Sequence, residues 1–446
     1  MKMNIMAYTP PTNGKVMVDN VLYDMGQDFR TKERYQEYKD CGFEVLMQAG
    51  ETKYQGEPFE TSDLKYMMDL ALETGLKFLV YDQRILDIAA NNTYGENDLI
   101  CGRFSTQSEL NDYITACMKS YMNHPAFYGV IIGDEPPFRA AYNLSNVCAA
   151  IYQAKKDTYI HNCFLPSKSR VQYLEEEFFP EETDITAKEA FRRYIRAMIS
   201  TGIRQFDFDA YPFCRYKGKN NFSKVYLWNL QVAAETTRQC ETPFYFTIQS
   251  FDNGPGDGYR KVDEDDLLYQ ANVAMGFGAK QIAYYTYWRF QTREKLNGEA
   301  AIMDDDGTRL LYDEAKATNA YIQRIFPYIR DYQYVKTQLV YEGRKPRAFT
   351  NVKSRNINFI AAAEASEILM INELQNGREH AYMIFNAEDS GEKRDNQVKL
   401  LLKEDVSSVR ALVKGKEVEL IVKNRQLKLE LSPGEAIWIL RSEKLS

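Results

Sequence analysis

Eight short apolar runs, each followed by a segment with helical spacing, fill the chain as far as about residue 330. The runs cover 4–8, 43–48, 76–82, 127–134, 158–164, 204–211, 244–250 and 281–287. Helix-period segments follow near 30–40, 62–74, from 140 onward, 187–201, 222–239 and 264–276, and one more at 311–331 would close the set. Strand-then-helix units repeated in this way predict an α/β fold of the (β/α)8 TIM-barrel type. A doubly wound open sheet shares the alternation. It also needs a glycine-rich phosphate turn after an early strand, and the sequence has none.

Beyond about residue 335 the apolar period drops from helical to two. Runs at 357–360, 379–386, 398–402, 409–413, 418–422, 427–431 and 436–440 are separated by turn residues such as Lys414-Gly415-Lys416 and Ser432-Pro433-Gly434. A small all-β sandwich is expected there. The length of 446 residues also favours two domains, 1–334 as a barrel and 335–446 as a β domain.

Composition excludes more than it identifies. The net charge of −7, 56 basic against 63 acidic residues, and the lack of a basic cluster with interleaved aromatics argue against a nucleic-acid partner. No run approaches the roughly 18 apolar residues of a membrane span, and residues 1–11 lack the apolar stretch of a signal peptide. The seven Cys include no Cys-x-x-Cys pair and read as reduced, buried thiols, so a cytoplasmic protein is expected unless a leader has been removed. The three His residues, His124, His161 and His380, have no metal-ligand spacing. Asp304-Asp305-Asp306-Gly307 reads as a hairpin turn, because the alternating spacing of a calcium loop is missing. No cofactor or metal is expected, and oligomeric state is not legible.

Residues 127–137, Phe-Tyr-Gly-Val-Ile-Ile-Gly-Asp-Glu-Pro-Pro, form an apolar strand that ends in two acids and is stopped by proline. Barrel enzymes place their chemistry at the C-terminal ends of strands, and a carboxyl held there against apolar walls makes a general acid. Alternation puts Gly129, Ile131, Gly133 and Glu135 on the mouth-facing side, with Asp134 opposite. On the sixth strand it turns Asp207, Asp209 and Tyr211 inward and Phe206, Phe208 and Ala210 toward helices. Gln249 ends the seventh strand, Tyr287 and Trp288 follow the eighth, Asp82 ends the third and Tyr8 the first. Asp82 also reads as a helix N-cap.

These residues resemble the (β/α)8 glycoside hydrolases of the large retaining clan, and most of all its β-galactosidase-like group with a small C-terminal β domain. The likeness is carried by Gly133-Asp134-Glu135-Pro136, by 271–280 before the eighth strand, by Tyr284-Tyr285-Thr286-Tyr287-Trp288, and by 302–307 and 311–314. Pro433-Gly434-Glu435-Ala436-Ile437-Trp438 is similar to the last strand of that group's β domain. The resemblance implies a carbohydrate substrate, with a terminal sugar cleaved from a glycan or glycoside. Glu135 would be the general acid/base, and Tyr8, Asp82, Asp207, Tyr211, Gln249, Tyr287 and Trp288 would line the sugar site.

One departure matters. The clan's nucleophilic Glu ends strand seven, where this chain has Gln249, and an amide cannot form the glycosyl ester. Two repairs are open. Asp209 could serve as nucleophile or base, the carboxyl separation then deciding between retention and inversion. Alternatively, a 2-acetamido group on the substrate could supply the nucleophile, as in hexosaminidases with an adjacent Asp-Glu pair after strand four. Asp134 would then orient the acetamide and Tyr211 would donate to its oxygen. A non-catalytic carbohydrate-binding barrel is the alternative that the missing Glu suggests. A lyase or phosphate-handling barrel using the glycine-rich loop 253–258 is a further one.

Overall fold

The computed structural model describes all residues except 1, 19–20, 25, 49–52, 91–98, 168–184, 255, 257, 290–300, 344 and 443–446. Its centre is a closed barrel of eight parallel strands: β1 (Asn4–Ala7), β2 (Val45–Met47), β3 (Lys77–Val80), β4 (Phe127–Asp134), β5 (Tyr159–Phe164), β6 (Phe206–Asp209), β7 (Phe244–Gln249) and β8 (Gln281–Tyr285). Each strand pairs with its sequence neighbours, and β1 closes the ring on β8, with Asn4 opposite Gln281 and Ala7 opposite Tyr284. The (β/α)8 expectation holds, though several strands end earlier than the sequence suggested. β3 stops before Asp82 and β8 before Tyr287.

Alternation along the strands builds two cores. Outward residues such as Phe78, Val130, Ile132, Phe164, Phe206, Phe208 and Ile282 are fully buried against the helical ring. Inward residues Met6, Val45, Met47, Leu79, Ile131 and Ala283, with Tyr8, Tyr81, Tyr128 and Tyr159, fill the barrel. The helices begin where the sequence offers a cap. Thr31, Ser62, Thr106 and Thr186 each accept a backbone N–H from the first turn of helices Lys32–Asp40, Asp63–Thr74, Gln107–Met118 and Ala187–Ser200. Helix Glu264–Gly276 opens with a reciprocal capping box between Asp263 and Asp266.

From Gln333 onward the described residues form β-strands joined by turns and two short 3-10 helices, Arg347–Phe349 and Ser390–Glu392. A six-stranded antiparallel sheet faces a three-stranded one over a second core that includes Phe359, Ile371, Ile384, Leu400, Leu427 and Ile439. Strands Gln333–Val340 and Leu369–Asn376 were not anticipated, and the run expected at 357–360 becomes a strand only at Ile360–Ala365. The other face of the larger sheet, with Met370, Leu374, Met383, Phe385 and Trp438, joins the barrel's outer core. Gly276 permits this approach, since a Cβ there would stand 2.3 Å from Met383 Cε, and Asn372 Nδ2 donates to the Gly276 carbonyl at 3.0 Å. Among the described residues no helix is long and apolar enough to cross a membrane.

Candidate active site

Strand β4 does not keep its alternation to the end. Ile131 lies opposite His161 on β5, but Gly133 lies opposite Asn162 and Asp134 opposite Cys163, so one residue of β4 is extra. This bulge moves Asp134 onto the inward face that alternation assigned to Glu135. Four mouth residues feel the Asp134 charge: Tyr8, Tyr81, Cys163 and Tyr285. Asp134 is reachable by solvent yet enclosed on most sides by the concave mouth. That desolvation first, and the neighbouring Glu135 charge second, push its carboxyl up to about 6.

Glu135 follows with φ of +42°, the left-handed region that a side chain adopts only at a cost. Its N–H donates to the Cys163 carbonyl at 2.7 Å, which fixes the turn that carries its carboxylate. Charge from Glu135 and from Asp209 reaches the Tyr259 hydroxyl, placing Tyr259 near both acids. Tyr259 belongs to a small three-stranded sheet (Phe213–Tyr216, Lys219–Phe222, Gly258–Tyr259) made by the loops after β6 and β7.

On β6 the expected parity is observed. Phe206 and Phe208 stack outward among Phe164, Phe191, Phe244 and Phe246, while Asp207 and Asp209 face the barrel axis beside Tyr245 and Thr247 of β7. Asp207 is 1% exposed. Burial first, then the Asp209 charge, raises its carboxyl well above the ordinary range. Tyr211 interacts with the Asp209 carboxylate, and its ring packs on Phe251, Tyr259 and Tyr285 at centroid distances of 4.9, 5.5 and 6.1 Å. Across the mouth, the Tyr8 hydroxyl lies 2.8 Å from His161 Nε2. Thus Tyr8, Asp134, Glu135, Asp207, Asp209 and Tyr211 come together at the C-terminal end of one barrel.

Four other sequence candidates do not join them. Asp82 is fully buried as the N-cap of helix Gln83–Ala89, is ion-paired with Arg84 at 2.7 Å and accepts from the Tyr121 hydroxyl at 2.9 Å. Gln249 is also fully buried. Its two amide N–H groups are shared among the carbonyls of Phe213, Phe251 and Arg260, each 3.2 Å from the nitrogen, and its oxygen accepts from Phe213 N–H at 3.1 Å. The side chain pins the loops after β6 and β7 and presents nothing to a sugar. Because β8 ends at Tyr285, Tyr287 and Trp288 fall outside the mouth. Tyr287 packs on Tyr38 and Phe43, and Trp288, 1% exposed, packs on Phe29.

The residues missed by sequence reasoning are His161, Cys163, Phe251, Tyr259 and Tyr285. The same period-two rule, applied to β5 and β8, would have turned Tyr159, His161, Cys163 and Tyr285 inward. Tyr259 lies in a loop and gave no comparable signal. Of the glycine-rich loop 253–258, residues 255 and 257 lie outside the described residues. Asn253 Oδ1 accepts from Tyr259 N–H at 2.9 Å, which anchors Tyr259 beside the acids. Among the described residues, the carboxylates of Asp304, Asp305 and Asp306 are close enough to share a cation. They are committed to a turn closed by Gly307 N–H on the Asp304 carbonyl at 3.1 Å and to an Arg289–Asp304 pair at 3.0 Å.

No family model matches this sequence, and no curated protein matches it. Solved structures do. Gan42B, a GH42 β-galactosidase, is similar over 92% of this chain and 95% of its own, at a TM-score of 0.56 and 8% identity. A protein described as a glycoside hydrolase is similar over 97% and 98%, at a TM-score of 0.51 and 9% identity. At identities this low the likeness is one of fold.

Proposed function

We propose that this protein is a glycoside hydrolase that releases a terminal sugar, with Glu135 as the general acid. One observation carries the reading: Asp134, Glu135 and Asp209 converge at the C-terminal mouth of a closed parallel barrel whose wall is made of Tyr8, Tyr211, Tyr259 and Tyr285. Acids beside tyrosine rings suit a substrate that needs a proton on its leaving oxygen and a polar, ring-shaped seat. The Gly133-Asp134-Glu135-Pro136 resemblance and the shared fold of the β-galactosidase Gan42B support the same reaction class.

Within that class the geometry favours assistance by a 2-acetamido group. Asp134 faces inward at the end of β4, where it would hold the acetamide, while Glu135 follows on a left-handed turn, where it would protonate the leaving oxygen. In the second route Asp209 is nucleophile or base. Its place beside Tyr211 and Tyr259 supports that role. A screen of paired p-nitrophenyl glycosides, with and without the 2-acetamido group, decides between them. Turnover confined to the acetamido sugars supports assistance, and turnover of plain hexosides transfers the role to Asp209. A sugar-binding barrel without catalysis is the reading favoured by the saturated amide of Gln249 at the end of β7. Calorimetric binding with no turnover on prolonged incubation would establish it and sink the hydrolase.

A further inference from the structure

Beneath the mouth, three strands and the residue that follows β1 contribute one chain of polar groups. Thr247 Oγ1 on β7 donates to Asp207 Oδ1 at 3.5 Å, Asp207 Oδ2 on β6 faces His161 Nδ1 on β5 at 3.5 Å, and His161 Nε2 meets the Tyr8 hydroxyl at 2.8 Å. His161 and Asp207 are each 1% exposed. His161 Nδ1 and Asp207 Oδ2 have no hydrogen-bond partner elsewhere and face each other at 3.5 Å. Two bare acceptors facing each other in a buried site repel, so one proton must lie between them. Its owner decides the direction of every bond above it.

We propose that Asp207 holds this proton as a neutral acid, fixes His161 as the Nε2–H tautomer, and so spares the Tyr8 proton from His161 for an acceptor oxygen of the substrate in the mouth. The Cys163 sulfur, which shares a hydrogen bond with Tyr8, is the partner that such an oxygen would displace. An ionised Asp207 would need His161 to carry the proton on Nδ1. His161 Nε2 would then consume the Tyr8 proton, and a carboxylate charge would remain buried with no cation beside it. Among the described residues no Lys or Arg pairs with Asp207. The charged group beside the His161–Asp207 pair is Asp209 on β6, while Asp134 on β4 acts on Tyr8 and Cys163; Tyr159 and Cys163 on β5, Tyr245 on β7 and Tyr8 after β1 are neutral neighbours. Acidic surroundings oppose a further negative charge, in the direction of the burial that raises Asp207 and of the burial that lowers His161 to about 3. The Tyr8 phenol is raised as well, by burial first and then by Cys163, Asp207, Asp134 and Asp209, so it remains a hydroxyl rather than a nucleophilic phenolate. Tyr8 would touch the substrate; His161 and Asp207 act through it, as positioning residues.

Only the last link, the substrate oxygen, rests on the glycoside hydrolase reading. The chain has three His residues, so selective 15N-histidine labelling of the full protein resolves every imidazole, and His161→Gln assigns the signals of this one. The expected result is a neutral His161 with its proton on Nε2 from about pH 5 to about pH 9. Asp207→Asn, whose amide N–H replaces the acid as donor to Nδ1, keeps that tautomer, while Asp207→Leu does not. A proton on Nδ1 of the unaltered protein, or an imidazolium persisting above about pH 6, overturns the proposal. Tyr8→Phe should leave the His161 signals in place and lower kcat/KM by on the order of 10- to 100-fold on the glycoside that is turned over. An unchanged kcat/KM overturns the Tyr8 contact. If the tautomer is as stated and no glycoside is cleaved, the hydrolase reading falls while the buried chain stands.

Discussion

Asp134 lies opposite Cys163 in the ladder between β4 and β5, one register step from where alternation through Ile131 would put it. The bulge behind that shift brings two adjacent acids to one site by different means. Asp134 enters along the strand face, and Glu135 swings in from a left-handed turn at φ of +42°. A regular strand would have directed one of them into the helical ring, where an unpaired carboxylate is costly.

The raised Asp134 carboxyl gives the pH profile a readable sign. In the assisted route Asp134 must be ionised, so kcat/KM should rise with pH through about 6, the position to which desolvation and Glu135 push it. Asp134→Asn should remove that limb together with most of the activity. The absence of any rising limb near pH 6 would contradict an ionised Asp134 in the reaction. Stability has the opposite slope. The folded group binds its proton more tightly than the ordinary value of 3.8, so the fold loses stability as pH rises from about 4 to about 6, and Asp134→Asn should flatten that part of the curve.

The barrel was legible because its two periodicities are strong. Phe206 and Phe208 alternate with Asp207 and Asp209 in a four-residue strand, which leaves one inward set and one outward set. The bulge was not legible, since an extra residue changes the register without changing the apolar composition of Val130-Ile131-Ile132. Tyr287 and Trp288 were misplaced because an aromatic run past a strand gives no sign of where hydrogen bonding stops. Gln249 was misread because the three carbonyls it holds are backbone groups from distant loops, absent from any side-chain pattern. Strands Gln333–Val340 and Leu369–Asn376 were missed because Gln, Lys and Asn interrupt their alternation.

The strain at Glu135 predicts a trade between stability and function. Glu135→Gly should abolish turnover yet stabilise the fold by up to about 1 kcal/mol, because glycine adopts the positive φ without the side-chain penalty. A denaturation midpoint that falls in this variant would mean that the Glu135 side chain contributes more to the fold than its backbone costs.

Restoring an acid at the end of β7 should not restore a clan-like nucleophile. Gln249→Glu replaces an amide whose two N–H groups are shared among three carbonyls with a carboxylate that can donate to none. Stability should drop by about 3 kcal/mol, with no gain in hydrolysis. Any increase in the turnover of plain hexosides would show that the side chain reaches the mouth.

Trp288 should behave as packing. Trp288→Phe should lower stability by about 1–2 kcal/mol through the void left against Phe29, with kcat/KM changing less than about threefold. A loss of sugar affinity without a loss of stability would return Trp288 to the binding surface.

The most direct test of the central claim, proton donation by Glu135, compares two leaving groups on one sugar. Glu135→Gln should lower kcat/KM on an alkyl or sugar leaving group by on the order of 10² to 10⁴, and far less on a dinitrophenyl leaving group that departs without a proton. Equal losses on both, or no loss on either, would contradict the assignment of Glu135 as the general acid.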